Sequence, residues 1–303
     1  MTTPRVVLGA PLVALLAKAA PSLPAPYLEH GHLAQEPADA YGKLLEGSED
    51  AQFLIDRIRL LLRHRYGDGY AVVGAAPLLE EGALDDDGKV LTILLSWLGT
   101  PLQALDRRPL WAPLDTSSAT EHATGTGDNP LHIDFANASM PPDYSALLCV
   151  RPDPRGSGES VVSSLRRAVA RLSQDERDLL SHPAFDAGDL YGLSGVGEAY
   201  TPFPVLDRFV PEEGFVRFTA KMLATRDPSD PHTSAARALE RELIADQQRF
   251  TLGRGDLLFV NQHLAAHGHE QPGGGQEDLP PDERPLMWQA FLRAPWDASR
   301  GSS

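Results

Sequence analysis

Three side chains in this chain have the types and spacing to hold a metal ion. His132 and Asp134 stand two apart in Pro130-Leu131-His132-Ile133-Asp134-Phe135, and His267 follows in Asn261-Gln262-His263-Leu264-Ala265-Ala266-His267-Gly268-His269. On a strand, residues i and i+2 point to the same face, so His132 and Asp134 can grip one ion while Ile133 packs behind them. Two imidazoles and one carboxylate on one side of Fe(II) leave positions open for a co-substrate and O2. The same donors also suit a zinc hydrolase, in which a metal-bound water is the nucleophile. A His-x-Asp pair taken alone is more often a structural hydrogen bond, so the surrounding elements carry the weight.

Strand signals frame both halves of the triad. Tyr144-Ser-Ala-Leu-Leu-Cys-Val150 is apolar on both faces, as a buried strand should be, and Val161-Val162 reads as a short one. Gly253-Arg-Gly-Asp256 turns into the strand Leu257-Leu-Phe-Val260, which delivers His267, and Leu286 to Leu292 is the last strand. Tyr70–Val73 and two short runs, Phe203–Leu206 and Phe215–Phe218, complete the set. Helical periodicity appears at 50–66, with Leu54, Ile58, Leu61 and Leu62 on one face, and again at Val90–Leu98, 164–171 and 173–181. Ser173-x-x-Glu176 is a capping box. Ser234 to Phe250 reads as a helix with an Ala235, Ala236, Leu239 and Leu243 stripe. The apolar stretch from Val6 faintly resembles a signal peptide, but Pro11 and Lys18 interrupt it and a short amphipathic helix is preferred. Residues 20–48 read as irregular covering structure, 119–129 as a small polar loop leading into His132, and the acidic Asp85–Asp87 as a solvated helix start.

The bulk numbers narrow the function classes. With 303 residues and 42% hydrophobic content the chain can bury a substantial core. A net charge of −15 argues against a nucleic-acid groove or an anionic membrane surface. The absence of an 18-residue apolar run argues against a membrane-spanning helix. The single Cys149 excludes an internal disulfide, fits a reducing cytoplasmic compartment, and reads as a core residue. Short strands with long connections, and helices gathered at the N-terminus, predict an α+β chain with a mainly β core: an antiparallel barrel or jelly roll under a helical layer. The sequence sets no oligomeric state.

Four ordered stretches add a family resemblance. They are His132-Ile-Asp134 with Pro142-Asp-Tyr-Ser-Ala-Leu-Leu-Cys-Val-Arg151, then Gly158-Glu-Ser160-Val-Val-Ser163, then Gly255-Asp-Leu-Leu-Phe-Val-Asn261 with His267-Gly268, and finally Arg284 before the last strand. Together they resemble the TauD-like and clavaminate-synthase-like Fe(II)/2-oxoglutarate oxygenases, near the amino-acid β-hydroxylase branch, over about Gly69 to Arg293. The resemblance implies one oxygenase domain over 1–303: an N-terminal helical cover (1–68) and a double-stranded β-helix core with insertions (69–298). It implies Fe(II), 2-oxoglutarate and O2, with His132, Asp134 and His267 as both catalytic residues and metal ligands. Arg284 and Ser160 would take the far carboxylate of 2-oxoglutarate, Arg284 through paired guanidinium donors. The bland readings are a surface Arg284 paired with Asp282 or Glu283 and an ordinary strand Ser160. The Gly-Asp-Leu-Leu-Phe-Val register and Gly268 favour His267 over His263 and His269, which read as loop or supporting histidines.

The departures bear on the substrate, expected to be a small molecule that is amino-acid-like or a natural-product intermediate. His269 replaces the Arg of the family's His-Gly-Arg. A second Arg that relatives use for a substrate carboxylate is Trp288 here, or Gln289 if the loop shifts by one residue. Thr219 and Lys221 stand where enzymes for basic side chains carry an acidic residue, so a neutral or anionic substrate group is expected near Lys221. His122 could face the substrate from the 119–129 loop. Asp134 itself points to hydroxylation or desaturation, since halogenases of the superfamily replace this carboxylate. Ala-, Arg-, Asp- and Pro-rich composition resembles that of high-GC bacteria, where such enzymes tailor natural products, which suggests antibiotic biosynthesis. A zinc-type metallohydrolase and a non-catalytic jelly-roll binding protein are the competing readings.

Overall fold

The computed structural model describes residues 3–63, 67–80, 88–106, 109–115, 129–186, 195–207, 215–270 and 278–294. The N-terminal third begins with β1 (Arg5–Val7) and α1 (Ala10–Ala19). A short pair, β2 (Leu28–Glu29) and β3 (His32–Leu33), precedes α2 (Gln35–Glu46), α3 (Glu49–Leu62) and β4 (Tyr70–Gly74). Then come α4 (Ala76–Glu80), α5 (Lys89–Ser96), β5 (Thr100–Leu102) and β6 (Ala112–Asp115). The site-bearing half opens with β7 (Asn129–His132), β8 (Tyr144–Arg151), β9 (Ser160–Ser164), α6 (Leu165–Arg171) and α7 (Gln174–Leu180). It continues through β10 (Leu206–Asp207), β11 (Phe215–Val216), α8 (Pro231–Asp246), β12 (Gln248–Phe250), β13 (Asp256–Asn261), β14 (Ala265–His269) and β15 (Leu286–Arg293).

Among the described residues the strands form two packed sheets and a separate two-stranded one, β10-β11. The larger has nine strands in the order β1-β4-β13-β8-β15-β5-β3-β2, with β6 also on β15, and the smaller runs β12-β9-β14-β7. Strand alternation sorts the core into layers. Tyr70, Val72, Leu147, Cys149, Leu258, Val260 and Met287 point inward from the larger sheet to meet Val162 and Ala265 of the smaller one. Their neighbours Ala71, Val73, Ala146, Leu148, Leu257, Phe259, Ala290 and Leu292 point outward and pack under α1, α3 and α5. Leu131, Val161 and Ala266 face out from the smaller sheet onto α6 and α8. Both faces of each sheet are thus covered, which explains why β8 and β13 are apolar at nearly every position.

Local signals fix several helix starts. Ser48, Ser164, Ser173 and Asp230 each accept a backbone N–H of the first turn, and Ser173 and Glu176 form the expected capping box.

Four expectations need correcting. Residues 35–46, read as irregular, form α2, because Tyr41 is buried, donates to the Pro24 carbonyl at 2.8 Å and offers its own carbonyl to the Trp97 indole at 2.8 Å. The 1–68 segment is more than a helical cover: β1 pairs in parallel with β4, and β3 pairs with β5, so it supplies strands to the larger sheet. The helix expected to run to Phe250 ends at Asp246, and Gln248–Phe250 turns back to pair with β9. His267 lies on its own strand, β14, one turn beyond the strand expected to deliver it. Asp85–Asp87 and most of the 119–129 loop lie outside the described residues.

Candidate metal centre

β7 and β14 are neighbours, and their register places His132 directly opposite His267. Leu131 and Ala266 face the outer helices, so both histidines face the inner side of the sheet. The two strands are close enough to require glycine at 268. A Cβ there would lie 2.3 Å from the Asn129 carbonyl oxygen and 3.1 Å from the Pro130 carbonyl carbon. Just past β7, Asp134 is followed by Phe135 in a left-handed conformation (φ 56°), a strained setting for an aromatic residue. The Phe135 ring meets Phe291 edge-on, with centroids 5.3 Å apart.

The three ligand atoms lie within 4.8 Å of one another. His132 Nε2 is 3.6 Å from Asp134 Oδ1, and His267 Nε2 is 3.2 Å from Asp134 Oδ2. His132 Nδ1 faces the Pro130 carbonyl at 2.9 Å, which places its proton there and turns the Nε2 lone pair to the site. Asp134 Oδ2 is buried with no hydrogen-bond partner among the described residues. A buried carboxylate oxygen in that state is costly unless a cation meets it.

Protonation states agree with that reading. Burial alone would raise the Asp134 carboxyl. The neighbouring imidazoles, His267 first and then His132, more than offset this and hold it well below the usual carboxylate range. Burial pushes His267 down, with the Asp134 charge only partly opposing it. An ionised carboxylate beside a neutral imidazole is the form a metal requires. Two imidazole nitrogens and one carboxylate oxygen therefore fit Fe(II) in donor type and spacing.

The other expected site residues are placed unequally. Ser160 is buried on β9 opposite His269, on the same inward side as His267. Thr219 forms an isolated antiparallel bridge with His132, which puts it beside the ligand strand. Lys221 is exposed, and its charge is felt at His269, which burial foremost holds below the ordinary histidine range. Arg284 sits in the turn before β15, where its Nε donates to the Leu279 carbonyl at 2.9 Å. His263 binds Asp143 at 2.6 Å instead of the metal centre, and His269 Nδ1 meets the Glu270 carbonyl at 3.1 Å. His122 lies outside the described residues.

Trp288 requires a correction. Its side chain packs on the outer face of the larger sheet, against the cluster under the N-terminal helices. On β15 the inward residue near the triad is Gln289, which pairs with the inward Leu147 of β8 and shares the face of Met287. Gln289 Nε2 donates to Asp134 Oδ1 at 3.3 Å and to Ser145 Oγ at 3.4 Å. Two more polar residues escaped sequence reasoning. Fully buried Gln262 accepts the Asp134 backbone N–H through Oε1 at 2.5 Å and donates to the Pro142 carbonyl at 3.0 Å. The Asn129 amide nitrogen lies 3.4 Å from His132 Nε2. Gln262 gives no periodic signal, because it lies in the turn between two strands and contacts residues 120 and 128 positions away.

Comparison with known proteins agrees with this geometry. The chain is 29% identical over 132 residues to the L-asparagine oxygenase of Streptomyces coelicolor, covering 43% of this chain and 38% of that protein. It is 25% identical over 144 residues to the L-lysine 3-hydroxylase of Catenulispora acidiphila, covering 46% and 39%. These matches span about two fifths of the length of the curated relatives. Among solved structures, an asparagine oxygenase with Fe(II), 2S,3S-3-hydroxyasparagine and succinate superposes with a TM-score of 0.74 at 19% identity, over 98% of this chain and 96% of that one. The non-heme iron oxygenase OrfP with Fe and alpha-ketoglutaric acid gives a TM-score of 0.68 at 17% identity, over 99% and 97%. At these identities the likeness shows a shared fold. The profile of the taurine catabolism dioxygenase TauD/TfdA family matches residues 100–290, a span that holds the whole triad, and the chain belongs to that family.

Proposed function

We propose that this protein is an Fe(II)/2-oxoglutarate-dependent oxygenase that hydroxylates an unactivated C–H bond of an amino-acid-like small molecule. The observation that carries the reading is the inward-facing His132, Asp134 and His267 set, with Asp134 Oδ2 buried and facing His267 Nε2. Fold and relatives support it: two packed sheets with the site between them fit a double-stranded β-helix in one domain, and both curated relatives are named as oxygenases or hydroxylases of amino acids. The buried single Cys149 fits a reducing, cytoplasmic setting.

In this reading the three ligands hold iron, whose chemistry with 2-oxoglutarate and O2 oxidises the substrate. The side chains set the geometry. Ser160, inward on β9, and Arg284, before β15, take the far carboxylate of 2-oxoglutarate by hydroxyl and guanidinium hydrogen bonds. Thr219, bridged to His132, and Lys221 border the substrate and favour a neutral or anionic group over a cationic one.

Incubation with Fe(II), 2-oxoglutarate, O2 and a panel of neutral, acidic and basic amino acids and their derivatives tests the proposal. The expected result is iron-dependent succinate formation and a product one oxygen heavier, with neutral or acidic compounds preferred. Turnover that persists in EDTA, or full activity in His132→Ala, would refute the oxygenase. Turnover of arginine-like compounds alone would refute the assignment of Lys221.

A further inference from the structure

We infer that Gln289 and Gln262 act together as positioning residues that hold Asp134 as a one-oxygen ligand, so that only Oδ2 reaches the metal. The inference rests on the metal-centre part of the proposed function and extends it to residues that do not touch the ion.

The two amides grip different parts of Asp134. Gln262 fixes the main chain: its Oε1 accepts the Asp134 N–H at 2.5 Å, and its Nε2 is spent on the Pro142 carbonyl. Both partners are backbone groups of fixed polarity, so the orientation of this amide is forced. Gln289 fixes the carboxylate. An ionised carboxylate only accepts hydrogen bonds, so the Gln289 nitrogen must be the atom that faces Oδ1. Its second N–H is directed to Ser145 Oγ, which is buried on the neighbouring strand β8.

The consequence is an asymmetric carboxylate. Oδ1 carries a hydrogen bond from a buried amide, while Oδ2 faces His267 Nε2 at 3.2 Å with no hydrogen-bond partner among the described residues. A charge-assisted hydrogen bond in a buried setting is strong enough to choose between the two oxygens. The residue after Asp134 supports the same restraint. Phe135 is held at φ 56° and packs edge-on against Phe291, two positions beyond Gln289 on β15. One strand of the larger sheet therefore touches the metal loop at two points, and the strained backbone keeps the carboxylate from swinging. Without the amide, Oδ1 would be free to join Oδ2 as a donor to a bound ion, and the extra protein donor would compete with 2-oxoglutarate.

The test uses Co(II), whose visible absorption reports coordination number, in the full-length protein and in Gln289→Met and Ser145→Ala. Methionine matches glutamine in length but offers no donor. Ser145→Ala removes the other bond of Gln289 and leaves the one to Asp134. The expected result is a shifted and altered Co(II) spectrum in Gln289→Met, with 2-oxoglutarate bound to the metal-loaded variant about tenfold more weakly. Co(II) affinity should not fall, and Ser145→Ala should resemble wild type. Identical spectra and 2-oxoglutarate affinities within twofold of wild type in Gln289→Met would overturn the inference, as would an equal change in Ser145→Ala. Failure of the oxygenase reading is seen separately: wild type would then bind Co(II) with the Gln289-dependent spectrum yet show no affinity for 2-oxoglutarate.

Discussion

Replacing Arg217 should loosen the loop that carries Asp134, and the size of the effect follows from its surroundings. Arg217 and Asp207 are 5% and 3% exposed, and Arg217 Nε meets Asp207 Oδ2 at 2.7 Å. Nη1 donates to the carbonyls of Ala136 and Ala138 at 2.9 and 2.6 Å, two and four residues beyond Asp134. The guanidinium also stacks over Tyr200, 4.8 Å from the ring centre. Breaking one side of a buried pair costs about 3–5 kcal/mol, because the Asp207 carboxylate and the Ala136 and Ala138 carbonyls lose the buried guanidinium. Unfolding entropy near 2.1 cal/mol/K per residue, over a chain of this length, converts that to a fall in Tm of roughly 5–8 °C. Urea and thermal denaturation of Arg217→Met measure it. Arg217→Met combined with Asp207→Leu should recover at least half of the loss, since the pair is then replaced by apolar contacts. Fe(II) affinity should fall with Arg217→Met as the loop loosens. A loss under about 1 kcal/mol, or a double variant no better than the single one, would refute this account of the pair.

Three further outcomes follow from particular contacts. Gly268→Ala would press a methyl into the Asn129 and Pro130 backbone, so β7 and β14 must separate; a loss of about 1–3 kcal/mol and weaker Fe(II) binding are expected, and unchanged metal affinity would contradict the close approach. Hydrogen bonds from the Thr233 side chain, then from its backbone, hold the Asp230 carboxyl down to about 2. A depressed carboxyl contributes stability that is fully present above the unfolded value near 3.9 and is lost as pH falls toward about 2, so Asp230→Asn, which keeps a capping oxygen, should flatten the acid decline of stability between these limits. Burial, helped by the Asp256 charge, pushes the Cys149 thiol up to about 12; iodoacetamide at pH 8 should leave the native protein unmodified and label it once unfolded, and rapid native labelling would contradict the packing.

The clustering of His132, Asp134 and His267 was legible because its signals are local. His132 and Asp134 have strand spacing, His267 sits beside a glycine that a close strand pair demands, and the apolar strands β8 and β13 announce a covered sheet. What was not legible depends on tertiary context. Arg5–Val7 is too short to signal a strand and forms one because β4 offers it a parallel edge. Residues 35–46 contain Pro37 and Gly42, poor helix formers, and the buried Tyr41 overrides them. The choice between Trp288 and Gln289 depends on which of the two pairs with the inward Leu147 of β8, a register set by a strand about 140 residues away in sequence. Gln262 reaches Asp134 across 128 residues, a distance no window of sequence spans.

The central claim is that His132, Asp134 and His267 hold Fe(II) with room for 2-oxoglutarate. Anaerobic titration of the protein with Fe(II) and then 2-oxoglutarate, followed by visible absorption, tests it most directly. The account predicts a weak charge-transfer band that needs both additions, saturates at one iron per chain and is abolished in Asp134→Ala. Absence of the band in wild type, or its persistence in Asp134→Ala, would contradict the claim.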